Sequence, residues 1–219
     1  MKITENTLAI LKNFASINPA IQFRKGNTIK TRLVANDLQA TAVIEEEFPC
    51  DFAIANLPKF ISLLSMFPEP SLEFQDDYSV RVVNGNNSIR FSFTDARLIE
   101  KSVITDYNRQ FPVPPTICTF TLAWEDFSKV LKGASILGAT HVTVSGKNGS
   151  LYMSAEHSNI SDSYTQHIGD CDIDFTAEYK IDTLKLIPDN YEVEITSKLV
   201  SKFTGSKVSY FVVTDIKQN

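Results

Sequence analysis

The 219 residues predict an α+β fold of two similar domains, each built of short helices on antiparallel sheets. Three observations carry that prediction. Short amphipathic segments punctuate runs in which apolar and polar residues alternate. The stretch LKNFASIN at 11–18 returns as LKGASIL at 131–137. Further landmarks also repeat at an offset of about 120 residues, as an internal duplication requires: Lys12 with Lys132, Asp51 and Phe52 with Asp174 and Phe175, Phe93 with Val212.

The first helix is expected over 5–17, because Leu8, Leu11 and Ala15, and then Ile10, Phe14 and Ile17, recur at helical spacing. Thr4 and Asn6 are the capping candidates, and Pro19 cannot continue the helix. Strand patterns follow in AIQFRK, TIKTRLVA, LQATAVIE and FPCDFAI, with a Gly26-Asn27 turn between the first two. A second helix is expected over 57–67, with Pro58 in its first turn and Pro68 and Pro70 beyond its end. LEFQ, YSVRVV and SIRFSF then alternate like half-buried strands, the last two joined by the hairpin signal Asn84-Gly85-Asn86-Asn87. Alternation fails over 101–116, where Pro112, Pro114 and Pro115 favour an extended strap between domains 1–100 and 117–219.

The second domain repeats the plan. A helix from about 122 to 137 gathers Trp124, Phe127, Val130 and Leu131 on one side. THVTVSG, a Lys147-Asn148-Gly149 turn, SLYMSAEH, SYTQHIG and CDIDFTAEY supply strands, and a short fourth helix is expected over 181–186, halted by Pro188. YEVEITS and KVSYFVVTDI close the chain around Gly205-Ser206.

Composition narrows the function. With 43% hydrophobic and 21% charged residues the chain has an ordinary globular balance, and its longest apolar runs fall far short of the roughly 20 residues a membrane helix needs. The N-terminus lacks the basic stretch and apolar run of a secretory signal, so a cytosolic location is expected. Cys50, Cys118 and Cys171 are three, widely spaced and without CxxC, so they read as buried thiols rather than a disulfide framework or a zinc site. His141, His157 and His167 show no metalloprotease spacing, and SGKNGS at 145–150 lacks the spacing of a phosphate loop. Glu45, Glu46 and Glu47, like Asp76 and Asp77, read as solvated charge beside turns, since adjacent carboxylates on a strand point to opposite faces. No catalytic residue and no cofactor is predicted.

A net charge of -5 gives no general basic footprint. The helices differ from the rest of the chain. Lys12 with Ser16, Lys59 with Ser62 and Met66, Lys129 with Lys132 and Ser135, and Lys185 occupy the polar faces of the four expected helices. Glu5, Glu125 and Asp126 stay at helix starts, where the dipole favours them. A basic helical surface on an acidic chain suits a polyanion held loosely, by few phosphate contacts.

LKNFASIN, with TLAIL before it and the strand containing Thr31-Arg32 after it, resembles the N-terminal segment of the sliding clamps of T-even-type bacteriophages, within the PCNA-like clamp family. The duplicated plan extends the similarity across the chain. The resemblance implies clamp-type domains in a DNA clamp ring, a homotrimer around double-stranded DNA with helices towards the hole and sheets outside. An ATP-driven clamp loader would place it, the viral DNA polymerase would be tethered by it, and related members also serve late-transcription factors, all in the cytoplasm of the infected bacterial host. On that resemblance Lys12, Lys59, Lys129, Lys132 and Lys185 would face DNA without base readout. The subunit joint would pair SIRFSFTD, with Arg90 and Ser92, against SYTQHIGD, with Thr165 and His167. An apolar pocket for partner tails would use Val113, Pro188, Phe211 and Val213. The competing expectation is a β-rich trimeric viral structural or adaptor protein that binds no DNA.

Overall fold

The computed structural model describes residues 1–109, 114–156, 161–198 and 200–218, and divides the chain into two compact units, Met1–Gln110 and Phe111–Asn219. The first unit contains α1 (Glu5–Ile17), β1 (Ile21–Phe23), β2 (Gly26–Arg32), β3 (Leu38–Phe48), β4 (Phe52–Ile54), α2 (Leu57–Leu64), β5 (Ser71–Asp76), β6 (Ser79–Asn84) and β7 (Asn87–Ser92). All pairings are antiparallel: β1 with β4, β2 with β3, and β5 with β6 with β7. The second unit contains β8 (Thr116–Leu122), α3 (Trp124–Leu137), β9 (His141–Lys147), β10 (Gly149–Glu156), β11 (Ser163–Cys171), β12 (Phe175–Lys180), β13 (Tyr191–Thr196), β14 (Val200–Thr204), β15 (Val208–Val213) and β16 (Asp215–Gln218). One of its sheets runs β11-β10-β9-β12-β16, and β8, β13, β14 and β15 pair in series in another.

The repeat is visible in the pairing. In each unit a long helix is followed by four strands of which the first pairs the fourth and the second pairs the third. A three-stranded meander then closes each unit. Even the strand before the helix has a counterpart: β8 pairs β13, and Lys2 forms an isolated bridge with Ser71 at the start of β5.

α1 has the expected bounds because its ends are chemically fixed. The Thr7 N–H donates to Thr4 Oγ1 at 3.2 Å, and the Asn18 N–H reaches the Phe14 carbonyl at 2.9 Å before Pro19. Ile10, Leu11, Phe14 and Ile17 are buried against the sheet. Beneath them Phe52 stacks between Phe23 and Phe93, with ring centroids 4.5 and 4.7 Å away. In the second unit Phe127, Val130 and Ala134 of α3 are buried, and Tyr191 and Phe203 belong to a separate fully buried aromatic set.

Four expectations are corrected. The second helix stops at Leu64 rather than at Phe67, because Met66 and Phe67 donate to Leu63 and Leu64 in tighter i to i+3 turns. The fourth helix is only a 3-10 turn, Ile181–Thr183. Leu184 and Leu186 are both buried with Lys185 half-exposed between them, Leu184 has left the helical region at φ -87° and ψ 44°, and so short a segment does not repay helix nucleation. Strands β8 and β14 were not anticipated, and Pro49 splits FPCDFAI so that β3 ends at Phe48.

The fourth correction is Glu46, which is 7% exposed rather than solvated. Its carboxylate accepts from the Thr4 N–H and from Thr7 Oγ1, so strand β3 itself caps α1. Its neighbours Glu45 and Glu47 point outwards. Replacing Glu46 with glutamine keeps an acceptor but loses the charge assistance, and should destabilise the first unit by about 1 kcal/mol in denaturant titration. An unchanged midpoint would show that the cap contributes nothing.

Candidate nucleic-acid interface

In the first unit α1 packs beside α2, and both turn lysine and serine to solvent: Lys12 and Ser16 on one, Lys59 and Ser62 on the other, all exposed. Asn56 fixes the start of α2 by accepting the Lys59 N–H at 2.9 Å. In the second unit α3 exposes Lys129, Lys132 and Ser135, with Ile136 76% exposed among them. The lysines are not equivalent. Lys129 lies 2.8 Å from Glu125 and 3.7 Å from Asp126, and its ammonium is raised above its ordinary pKa by the Glu125 hydrogen bond. Among the described residues Lys12, Lys59 and Lys132 make no salt bridge and offer their full charge to solvent. Lys185, expected on a helix, lies beyond the 3-10 turn and is half-exposed.

The strands named for a joint each have one open side. Among the described residues β7 pairs only β6, and β11 pairs only β10. Arg90 and Ser92 are exposed on β7, where Arg90 reaches Asp76 at 3.2 Å and Ser79 Oγ at 2.9 Å. Asp76, expected as solvated charge beside a turn, is exposed at the β5–β6 turn and also organises it. It accepts from the Tyr78 N–H and Ser79 Oγ, both at 2.9 Å, which together with Arg90 holds its carboxyl below the usual range. Thr165 and His167 are exposed on β11, and the His167 ring meets Tyr152 edge to face at 5.4 Å. Sequence reasoning missed the seat of α3 on this same strand. A Cβ on Gly133 would stand 2.9 Å from Cγ of Tyr164, so the helix approaches β11 as closely as a bare backbone allows.

Val113 lies outside the described residues. Pro188 is exposed, while Phe211 and Val213 are half-exposed on the face of β15 opposite the buried Tyr210 and Val212. Beside them on β14, Lys202 pairs with Phe211 in register and holds Glu194 at 2.8 Å. Of the cysteines only Cys118 is buried, and burial first, then Cys171 beside it, pushes its thiol up to about 12. Cys50 and Cys171 are half-buried, contrary to expectation. Among the described residues no group of three His, Cys, Asp or Glu side chains is placed to hold a metal ion. No helix among the described residues is long and apolar enough to cross a membrane.

Comparison with known proteins gives these surfaces a context. Residues 119–216 match a family model described as gp45 sliding clamp, C terminal. Over 224 residues the chain is 30% identical to a sliding clamp of Vibrio phage KVP40, covering 98% of this chain and 99% of that one. It is 28% identical over 229 residues to a sliding clamp of Escherichia phage RB69, covering 98% and 97%. Among solved structures, A. fulgidus PCNA bound to the C-terminal region of FEN-1 aligns with a TM-score of 0.73 at 14% identity, over 100% of this chain and 98% of that one. A DNA polymerase sliding clamp from Pseudomonas aeruginosa aligns with a TM-score of 0.69 at 10% identity, over 98% and 64%. Short helices on antiparallel sheets, repeated twice, are thus the architecture of the clamp fold.

Proposed function

From a chain that belongs to the sliding-clamp family of bacteriophages, whose members are not enzymes, we propose that three copies close into a ring around duplex DNA and hold the viral DNA polymerase on its template. The observation that carries this reading is end-to-end similarity to a phage sliding clamp at 30% identity. Exposed lysines on the helices of both units of a chain with net charge -5 support a DNA-facing role for Lys12, Lys59, Lys129 and Lys132, with Lys185 at the margin. Few phosphate contacts mean weak, salt-sensitive contact energy, so processivity comes from topology.

The open sides of β7 and β11 support a joint of β7 with β11 of a second copy, since pairing would satisfy backbone groups that otherwise invite wrong partners. Residues 101–116 act as a strap between repeats. Its first part is tied down through Arg24 Nε on the Thr105 carbonyl at 3.1 Å and Lys30 Nζ on the Tyr107 carbonyl at 2.6 Å. Phe211, Val213 and Pro188 form the apolar station for tails of the polymerase, the ATP-driven loader and late-transcription factors in the host cytoplasm.

The test is topological. Loaded onto closed circular DNA, the protein should stay bound through a salt wash and be lost when the circle is cut, and its native mass should be three chains. Retention indifferent to DNA ends, or a monomeric mass at working concentration, would defeat the ring.

A further inference from the structure

The first unit contains a cleft of about 680 Å³ where the strap is tied down, and the clamp reading gives it no ligand. Its walls are the β1–β2 turn at 24–27 and the segment 105–108, and Thr28, Lys30 and Thr41 on the outer face of the β2–β3 pair form its floor. The volume falls in the range of ligand sites, and apart from Gly26 and the Tyr107 ring its lining side chains are polar or charged. Three cations face it against one carboxylate, on a chain whose total charge is -5.

The cations are held in different ways. Arg24 is neutralised by Asp51 at 2.6 Å, and the Asp51 carboxyl, also bonded to the Lys25 N–H at 2.7 Å, stays below its ordinary range. Lys30 is fixed without being neutralised: Nζ donates to the Tyr107 carbonyl at 2.6 Å and lies 5.5 Å from the Tyr107 ring centroid, with no carboxylate in salt-bridge range among the described residues. Lys25 is exposed and its ammonium makes no salt bridge among the described residues. The opposing acid, Asp106, is engaged with the Asn108 N–H at 3.0 Å. Lys25 and Lys30, the latter preorganised, therefore face the cleft with only the Asp106 carboxylate against them, a surplus of one positive charge, with the hydroxyls of Thr28 and Thr41 beside them.

We infer that this cleft binds an acidic peptide segment of a partner protein, with carboxylates on Lys25 and Lys30. A nucleic acid fits less well. The face of Tyr107 that a base would stack on carries Lys30, and its hydroxyl is spent between the Gln22 carbonyl at 2.6 Å and the Lys30 N–H at 3.1 Å. Burial pushes that phenol up to about 12, so it remains a neutral fixed part of the wall. The inference does not rest on the ring, since every residue in it belongs to the first unit.

Fluorescence anisotropy with a labelled octapeptide of alternating glutamate and glycine tests it on the full chain. Binding should weaken about tenfold in Lys25→Glu, the reversal of one exposed pair, while the melting temperature stays unchanged. It should also weaken as salt rises from low to high concentration. Affinity undiminished in Lys25→Glu, equal binding of the glutamine-glycine octapeptide, or no binding at millimolar peptide would each overturn the site. Displacement of the peptide by a single-stranded oligonucleotide of equal charge at the same or lower concentration would also overturn it, assigning the cleft to nucleic acid.

Discussion

Carrying Lys12→Glu, Lys59→Glu and Lys132→Glu together, the protein should keep its native mass and melting temperature but lose at least roughly tenfold in loading onto DNA and in stimulated primer extension. All three side chains are exposed and make no salt bridge among the described residues, so their removal disturbs no packing and costs the fold under about 0.5 kcal/mol. Each reversal replaces attraction to phosphate with repulsion, worth roughly 1 kcal/mol at a solvated surface. Closure into a ring would present every change three times. Lys129→Glu alone should do less, since Glu125 at 2.8 Å already offsets that charge. Undiminished loading of the triple variant would remove the helices from the DNA-facing role.

Gly146→Ala should destabilise the second unit by about 3 kcal/mol and lower its melting temperature by roughly 10 °C. Gly146 sits in the middle strand β9, opposite Leu151 of β10 and Phe175 of β12. A Cβ there would stand 2.2 Å from the Ile173 carbonyl oxygen and 2.9 Å from Cε1 of Phe175. The nearer obstacle is backbone, which cannot swing aside like the end of a side chain, so β12 or the turn before it must move. A variant that melts with the parent in calorimetry would show that this turn yields freely.

Elements with a chemical start and stop were legible in the sequence. α1 was bounded by Thr4 and Pro19, and the β9–β10 hairpin by Asn148 and Gly149, whose φ angles of 52° and 80° are the left-handed values its turn needs. Elements defined by their partners were not. β14 is five residues long and exists because β13 and β15 flank it, and β8 lies between the proline-rich strap and α3, where neither neighbour reads as a strand. The apolar pair Leu184 and Leu186 looked helical, but the chain leaves the 3-10 turn at Leu184, whose φ of -87° and ψ of 44° do not continue a helix.

The candidate site was legible by residue type and less so by state. Charge pattern picked out Lys12, Lys59 and Lys132 as exposed cations, but not the neutralisation of Lys129, which depends on how Glu125 and Asp126 turn in the first helical turn. Glu46 did leave a signal. Ala40, Ala42 and Ile44 are buried at every second position of β3, and carrying that alternation forward puts Glu46 inside and Glu45 and Glu47 outside. A run of three glutamates hides a buried one because composition averages over the two faces of a strand.

The contact between Gly133 and Tyr164 bears on how a ring of this kind would be unlocked. Tyr164 stands on β11, the proposed joint strand, and Gly133 lies next to Lys132 in the helix proposed to line the hole. With only 2.9 Å available to a Cβ at their closest approach, neither element can shift towards the other, and prying β11 outward takes from α3 one of the three strands it packs on. The joint and the lining would then behave as one mechanical part: whatever unseats the strand also slackens the grip on DNA at the point where the duplex must leave.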